Sequence, residues 1–390
     1  MRRSVPSLML ALALTVLTSC SGSDGDNGAS ATTTPPESTV TEPEAPSPAA
    51  TDLATTTSTS RPPPTTTLPP VSLGGNCVVA DSGGGELTAF SALAFEGAQR
   101  VADALNVQIL LIEPSSEDEY EAEIQALVDT DCDLIVTVGL GLAAATRSMA
   151  NANPEQPFAI VDFSYADGDI VNANVKEMVF AVEEPAFVAG YLAAAMTQTG
   201  AVGTFGGSEI PSVTVFMDGF VGGVQHYNDT KGASITVLGW DAEARRGLFT
   251  NDFASIESGR ALAERLVADG ADIIMPVAGQ AGVGAAMLAQ ELGSFSVVGV
   301  DVDGAVWDPD HADVYLTSVL KKVDNAVFAV SADAASDDFT ARPYAGSLAN
   351  GGVGLADFHG WADRIPDGLK AEIENLARQI VDGVVRVPVG

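Results

Sequence analysis

Short apolar runs rich in β-branched residues alternate along the chain with longer stretches whose apolar positions recur every three or four residues. "CVVAD" (77–81) precedes "FSALAFEGAQRVADAL" (90–105), "VQILLIE" (107–113) precedes "EDEYEAEIQALVDT" (117–130), and "DLIVTVG" (133–139) precedes "LAAATRSMANANP" (142–154). "FAIVDF" (158–163) and "EMVFAV" (177–182) follow. The short runs predict buried strands and the periodic stretches predict helices. A second series opens on the helical "EEPAFVAGYLAAAMTQT" (183–199). Its strands are "AVGTFGG" (201–207), "SITVLGW" (234–240), "ADIIMPVAG" (271–279) and "FSVVGVDVD" (295–303), with helical stretches between them. Strands alternating with helices argue for parallel sheets covered on both faces. The doubled series predicts an α/β protein of two Rossmann-like lobes joined by a hinge. One lobe is expected over about 75–182 and 304–335, the other over about 183–303 and 336–390.

In open α/β sheets, ligands sit beyond the carboxyl ends of the strands. The residues at those ends are Asp81, Gly139, Asp162, Gly207, Gly279, Asp301 and Asp303. They form the candidate site, in a cleft between the lobes. The stretch "DSGGGELTAFSALAFEG" (81–97) is its most distinctive edge, a strand leaving through three glycines into a helix that begins beside Phe90.

The pattern is absent from the first 74 residues. Arg2 and Arg3, the apolar "LMLALALTVL" and then "LTSC" read as a lipoprotein signal peptide over 1–19, with Cys20 as the lipid-modified residue. An ordinary signal peptide with a chance cysteine is the alternative. Residues 20–74 are Ser, Thr, Pro and acidic, with no apolar period, and read as a disordered tether. The expected location is the extracytoplasmic side of the cell membrane, with a lipid anchor.

The formal net charge of −34 argues against nucleic acid and anionic membrane faces as partners. Cys77 and Cys132 open two strands that are neighbours in a sheet of order 2-1-3. An oxidising location favours a disulfide between them over two free thiols. His226, His311 and His359 are scattered, and no His/Cys pair has metal-ligand spacing. There is no GxxxxGK[ST], no GxGxxG and no GxSxG. Asp301 and Asp303 alternate on a strand and point to opposite faces, which argues against a catalytic dyad. The sequence therefore reads as a binding protein with no metal or cofactor, not as an enzyme.

The globular part resembles the basic membrane protein family of ABC-transporter substrate-binding lipoproteins, which includes purine nucleoside receptors. The resemblance rests on "NPEQPFAIVD", "EEPAFVAGYLAAAMTQTGAVGTFGG", "GADIIMPVAG", "VVGVDVDG", "LTSVLKKVDNAV", "NGGVGLADF" and "IVDGVVRVP", and spans nearly all of 76–388. It implies a type I periplasmic-binding-protein fold, a monomer, a nucleoside ligand (purine first) and an ABC permease as partner. The family's opening motif, D-x-G-x-x-D-x-x-S-F-N-Q-x-A-x-E-G, matches at Asp81, Gly83, Phe90, Ala94, Glu96 and Gly97. By this resemblance Phe90 stacks on the base. Phe249, with Trp240 as rival, supplies the second ring. Asp162 meets the base edge, and Asp301 and Lys321 hold the ribose, with Lys322 able to share the lysine's role. Gly279 and Gly282 give the backbone close approach. Ser91 stands where the family has a base-reading Asn, so that edge is altered. A non-purine or sugar-like solute, or a sensing role for the lipoprotein, remains the alternative.

Overall fold

The computed structural model describes residues 75–81, 88–166, 168–336 and 338–388. The expected signal peptide and tether, with Cys20, and the glycine-rich stretch 82–87 lie outside the described residues.

The first series folds as β1 (Gly75–Ala80), α1 (Ala89–Leu105), β2 (Gln108–Ile112), α2 (Tyr120–Val128), β3 (Leu134–Val138), α3 (Ala143–Ala152), β4 (Phe158–Val161) and β5 (Val175–Phe180). The second runs α4 (Glu183–Met196), β6 (Ala201–Gly206), α5 (Pro211–Lys231) and β7 (Thr236–Leu238). A small hairpin, β8 (Trp240–Asp241) and β9 (Arg246–Gly247), follows. Then come α6 (Ile256–Ala268), β10 (Ile273–Val277), α7 (Val283–Leu292), β11 (Ser296–Asp301), α8 (Gly304–Trp307) and β12 (Tyr315–Lys321). The chain ends in α9 (Val323–Ala335), β13 (Tyr344–Gly346), β14 (Val353–Leu355) and α10 (Asp367–Val381).

Two six-stranded sheets result, ordered β13-β5-β4-β3-β1-β2 and β14-β12-β11-β10-β6-β7. All their pairings are parallel except β14 on β12. Each sheet is apolar on both faces because each is covered twice. In the first, Ile135, Phe158 and Ile160 pack on one side with Ile124 of α2 and Met149 of α3. Val136 and Val161 pack on the other with Ala94 of α1 and Val327 of α9. In the second, α4, α5 and α10 cover one face and α6 and α7 the other. This is the two-lobed α/β architecture, with β1 between β2 and β3 as the cysteine argument requires. Cys77 and Cys132 are bonded, their Cα atoms 6.1 Å apart.

The lobe boundaries differ from the sequence reading. Residues 304–321 belong to the second lobe, because β12 pairs with β11 along its length. The polar stretch "DVDGAVWDPDHAD" (301–313) leads from β11 to β12. It is an ordinary strand-to-strand connection, folded as α8 and a short 3₁₀ turn. The chain crosses after Lys321, and β13 joins the first sheet before β14 returns to the second. Three crossings therefore join the lobes, after β5, after β12 and after β13, and they are tied together. Ala181 N donates to Gly346 O at 2.8 Å and Lys322 N to Gly352 O at 2.9 Å. Leu348 N donates to a Glu184 carboxylate oxygen at 2.7 Å.

Candidate functional site

β4 and β11 occupy the same place in their respective sheets, and each ends at an aspartate. Asp162 and Asp301 both have left-handed backbone, with φ 63° and 66°. That conformation is uncommon without glycine and costs energy that the surroundings must repay. Lys321, at the carboxyl end of β12, reaches both carboxylates. Its Nζ is 2.9 Å from Asp162 Oδ2 and 3.3 Å from Asp301 Oδ1. The ammonium also lies over the rings of Phe90, at 5.2 Å, and Phe216, at 5.1 Å. Asp162 and Phe90 come from the first lobe and Asp301 and Phe216 from the second, so the lysine joins the two halves.

The residue is 3% exposed. Burial works against its charge, but Asp162 and Asp301 more than offset this and hold its pKa above the ordinary lysine value. Burial in turn raises the Asp162 carboxyl, with Lys321 pulling it down. Two carboxylates facing one ammonium leave the cluster one negative charge in excess. Asp301 Oδ1 is buried, and its contact with the ammonium is an ion pair without hydrogen-bond geometry.

On the first lobe Asp81 follows β1 and accepts a hydrogen bond from the Tyr120 hydroxyl of α2. A Cβ on Gly141 would come 2.5 Å from Asp81 Oδ2, so glycine there leaves room for the carboxylate. Phe90 lies in the first turn of α1, whose cap is Thr88. Ser91 is 3% exposed, and its hydroxyl accepts from Thr88 Oγ1 at 3.1 Å. It belongs to the capped first turn of α1.

On the second lobe Gly279, with φ 55°, follows β10. Phe249 bridges to Gly206 and packs edge-on against Trp240, 5.9 Å between centroids. Trp240 is buried and donates to Asp218 at 2.8 Å. Phe253 is different. It is 41% exposed, and a Cβ on Gly207 would collide with its ring. Its backbone is also the nearest atom to a Cβ on Gly279. The ring thus lies over the ends of β6 and β10, on the strand-end surface of the second lobe.

Asp162, Asp301, Lys321 and Phe90 therefore converge. Asp81 and Gly279 sit at strand ends without joining that contact, and Phe249 is set into the second lobe. Asp303 pairs instead with His359, at 2.8 Å, apart from Asp301. The sequence reading missed Phe216 and Phe253. Phe216 falls among the apolar positions of α5, beside Val215 and Met217, and "GLFTNDF" offers two phenylalanines four apart with no local signal to choose between them. Among the described residues, no three His, Cys, Asp or Glu side chains converge to hold a metal ion.

Two α/β lobes with polar strand ends face to face define the class of proteins with the type I periplasmic-binding fold. Solved structures agree. A solute-binding protein of an ABC transporter system from Aeropyrum pernix aligns with TM-score 0.68 and 25% identity, over 81% of this chain and 93% of that one. One from Conexibacter woesei aligns with TM-score 0.64 and 20% identity, over 81% and 99%. Residues 76–364 match the family described as ABC transporter substrate-binding protein PnrA-like, and the chain belongs to it. Basic membrane protein A of Borreliella burgdorferi is 32% identical over 77% of this chain and 83% of its own length. The CD4+ T-cell-stimulating antigen of Listeria monocytogenes is 30% identical over 80% and 87%.

Proposed function

We propose that this substrate-binding protein captures a nucleoside, a purine nucleoside first, between its lobes and delivers it unaltered to an ABC permease. It does so as a lipoprotein anchored through Cys20. The carrying observation is the Asp162–Lys321–Asp301 cluster, drawn from both lobes and flanked by Phe90. A ribose presents adjacent hydroxyls, each donor and acceptor. Asp301 accepts from one, and Lys321 donates to the other. Asp162 accepts from a base N–H. Phe90 supplies one ring face to the base, and Phe253, rather than Phe249, is suited to supply the other because its ring is exposed. A ligand touching both lobes favours the closed arrangement, since only that arrangement makes both sets of contacts.

The excess negative charge of the cluster, on a chain of net charge −34, disfavours phosphorylated ligands. A thermal-shift panel of nucleosides, free bases, sugars and nucleoside monophosphates tests the reading. Nucleosides should raise the melting temperature and monophosphates should not. Stabilisation by sugars or bases alone, or by no compound in the panel, contradicts it.

A further inference from the structure

The two left-handed aspartates need something to hold them, and each lobe supplies it from the same place, the strand beyond. In the first lobe Glu177 of β5 is the register partner of Ile160 in β4. Its carboxylate accepts from Ser164 Oγ at 2.6 Å and from Tyr165 N at 3.0 Å. It thereby anchors the chain two and three residues after Asp162, while Asp162 N donates to Met178 O at 2.8 Å. In the second lobe Ser318 of β12 is the register partner of Gly299 in β11. Its hydroxyl accepts from Gly304 N at 2.9 Å, three residues after Asp301. A Cβ on Gly299 would overlap that hydroxyl, so glycine opposite leaves it the room it uses.

Ile160 stands two residues before Asp162 and Gly299 two before Asp301, so the two devices are equivalent in position although their chemistry differs. We infer that Glu177 and Ser318 are positioning residues that fix Asp162 and Asp301 on Lys321 by anchoring the backbone just after each aspartate. The inference rests on the reading of those aspartates as ligand groups, but it can be tested without ligand.

Glu177 is half-buried, so replacing it need not unfold the lobe. Acetylation of the full chain with an amine-reactive reagent, read lysine by lysine by mass spectrometry, reports release of Lys321. In Glu177→Ala, Lys321 labelling should rise about tenfold or more, the scale of one lost hydrogen bond to a charged group. Glu177→Gln keeps an acceptor for Tyr165 N and should restore the wild-type rate. Lys176, the next residue on β5 and buried against Phe339 and Asp333 of the opposite face, reports melting of the strand itself. Unchanged Lys321 labelling in Glu177→Ala overturns the inference. So does a rise shared equally by Lys176, which marks a merely structural role. If the wild-type protein bound no nucleoside, the proposed function would fall while the labelling still decided this point. If nucleoside bound with full affinity to Glu177→Ala, the positioning role would fall alone.

Discussion

Lys321 serves two structural ends at once. It is the last residue of β12 before the chain leaves the second lobe, and its ammonium is held by a carboxylate from each lobe. A buried cation in such a position is costly to strip of its partners and costly to delete, because deletion leaves two carboxylates facing each other. Lys321→Met should therefore destabilise the protein by about 3–5 kcal/mol. Asp162→Asn should cost less, because it converts a cluster with one excess negative charge into a neutral pair of Lys321 and Asp301. Urea unfolding at neutral pH checks the order of the two variants.

The pH dependence has a definite sign. The folded pKa of Lys321 lies above its unfolded value, so its contribution is whole below the ordinary lysine pKa and is lost as pH rises through the folded value. Wild-type stability should fall more steeply above about pH 10.4 than that of Lys321→Met. Parallel curves would mean that the lysine is not held as described. The two phenylalanines of "GLFTNDF" should also separate. Phe253→Ala should weaken nucleoside binding about tenfold with little change in melting temperature, and Phe249→Ala should chiefly lower the melting temperature. Calorimetric titration alongside thermal melting tells them apart.

Among the elements, strands and helices follow directly from the runs of apolar residues, because a strand covered on both faces must be continuously apolar. β3, β10 and β11 are of this kind. What the pattern does not carry is which sheet a strand joins. β12 and β13 enter different lobes, and their pairing partners, β11 and β5, place them there. The aspartates at the ends of "FAIVD" and "VVGVD" are legible for the same reason as the strands, since a polar residue closing an apolar run marks a strand end. Their left-handed backbone, and the Glu177 and Ser318 contacts that follow, depend on neighbours distant in sequence.

The Cys77–Cys132 bond belongs to this scale. It closes a sequence separation of 55 and lies toward the amino ends of β1 and β3, away from Asp81 and the ligand groups. Reduction, or replacing both cysteines with alanine, should cost about 2–4 kcal/mol of stability. Nucleoside affinity should be unchanged. A loss of affinity as large as the loss of stability would mean that the bridge shapes the site as well as the fold.

Taken as a whole, the molecule has two similar halves joined three times, with hydrogen bonds linking the crossings to one another. Lys321 is a buried charge with carboxylate partners in both halves. A flat ligand with a sugar edge fits the rings on one side and the alternating charges on the other. Calorimetric titration of the purified protein with inosine and adenosine tests this most directly. Saturable one-to-one binding is predicted, weakened at least tenfold, about 1.4 kcal/mol, by Asp301→Ala. The absence of saturable heat with either nucleoside, or full affinity in Asp301→Ala, would contradict it.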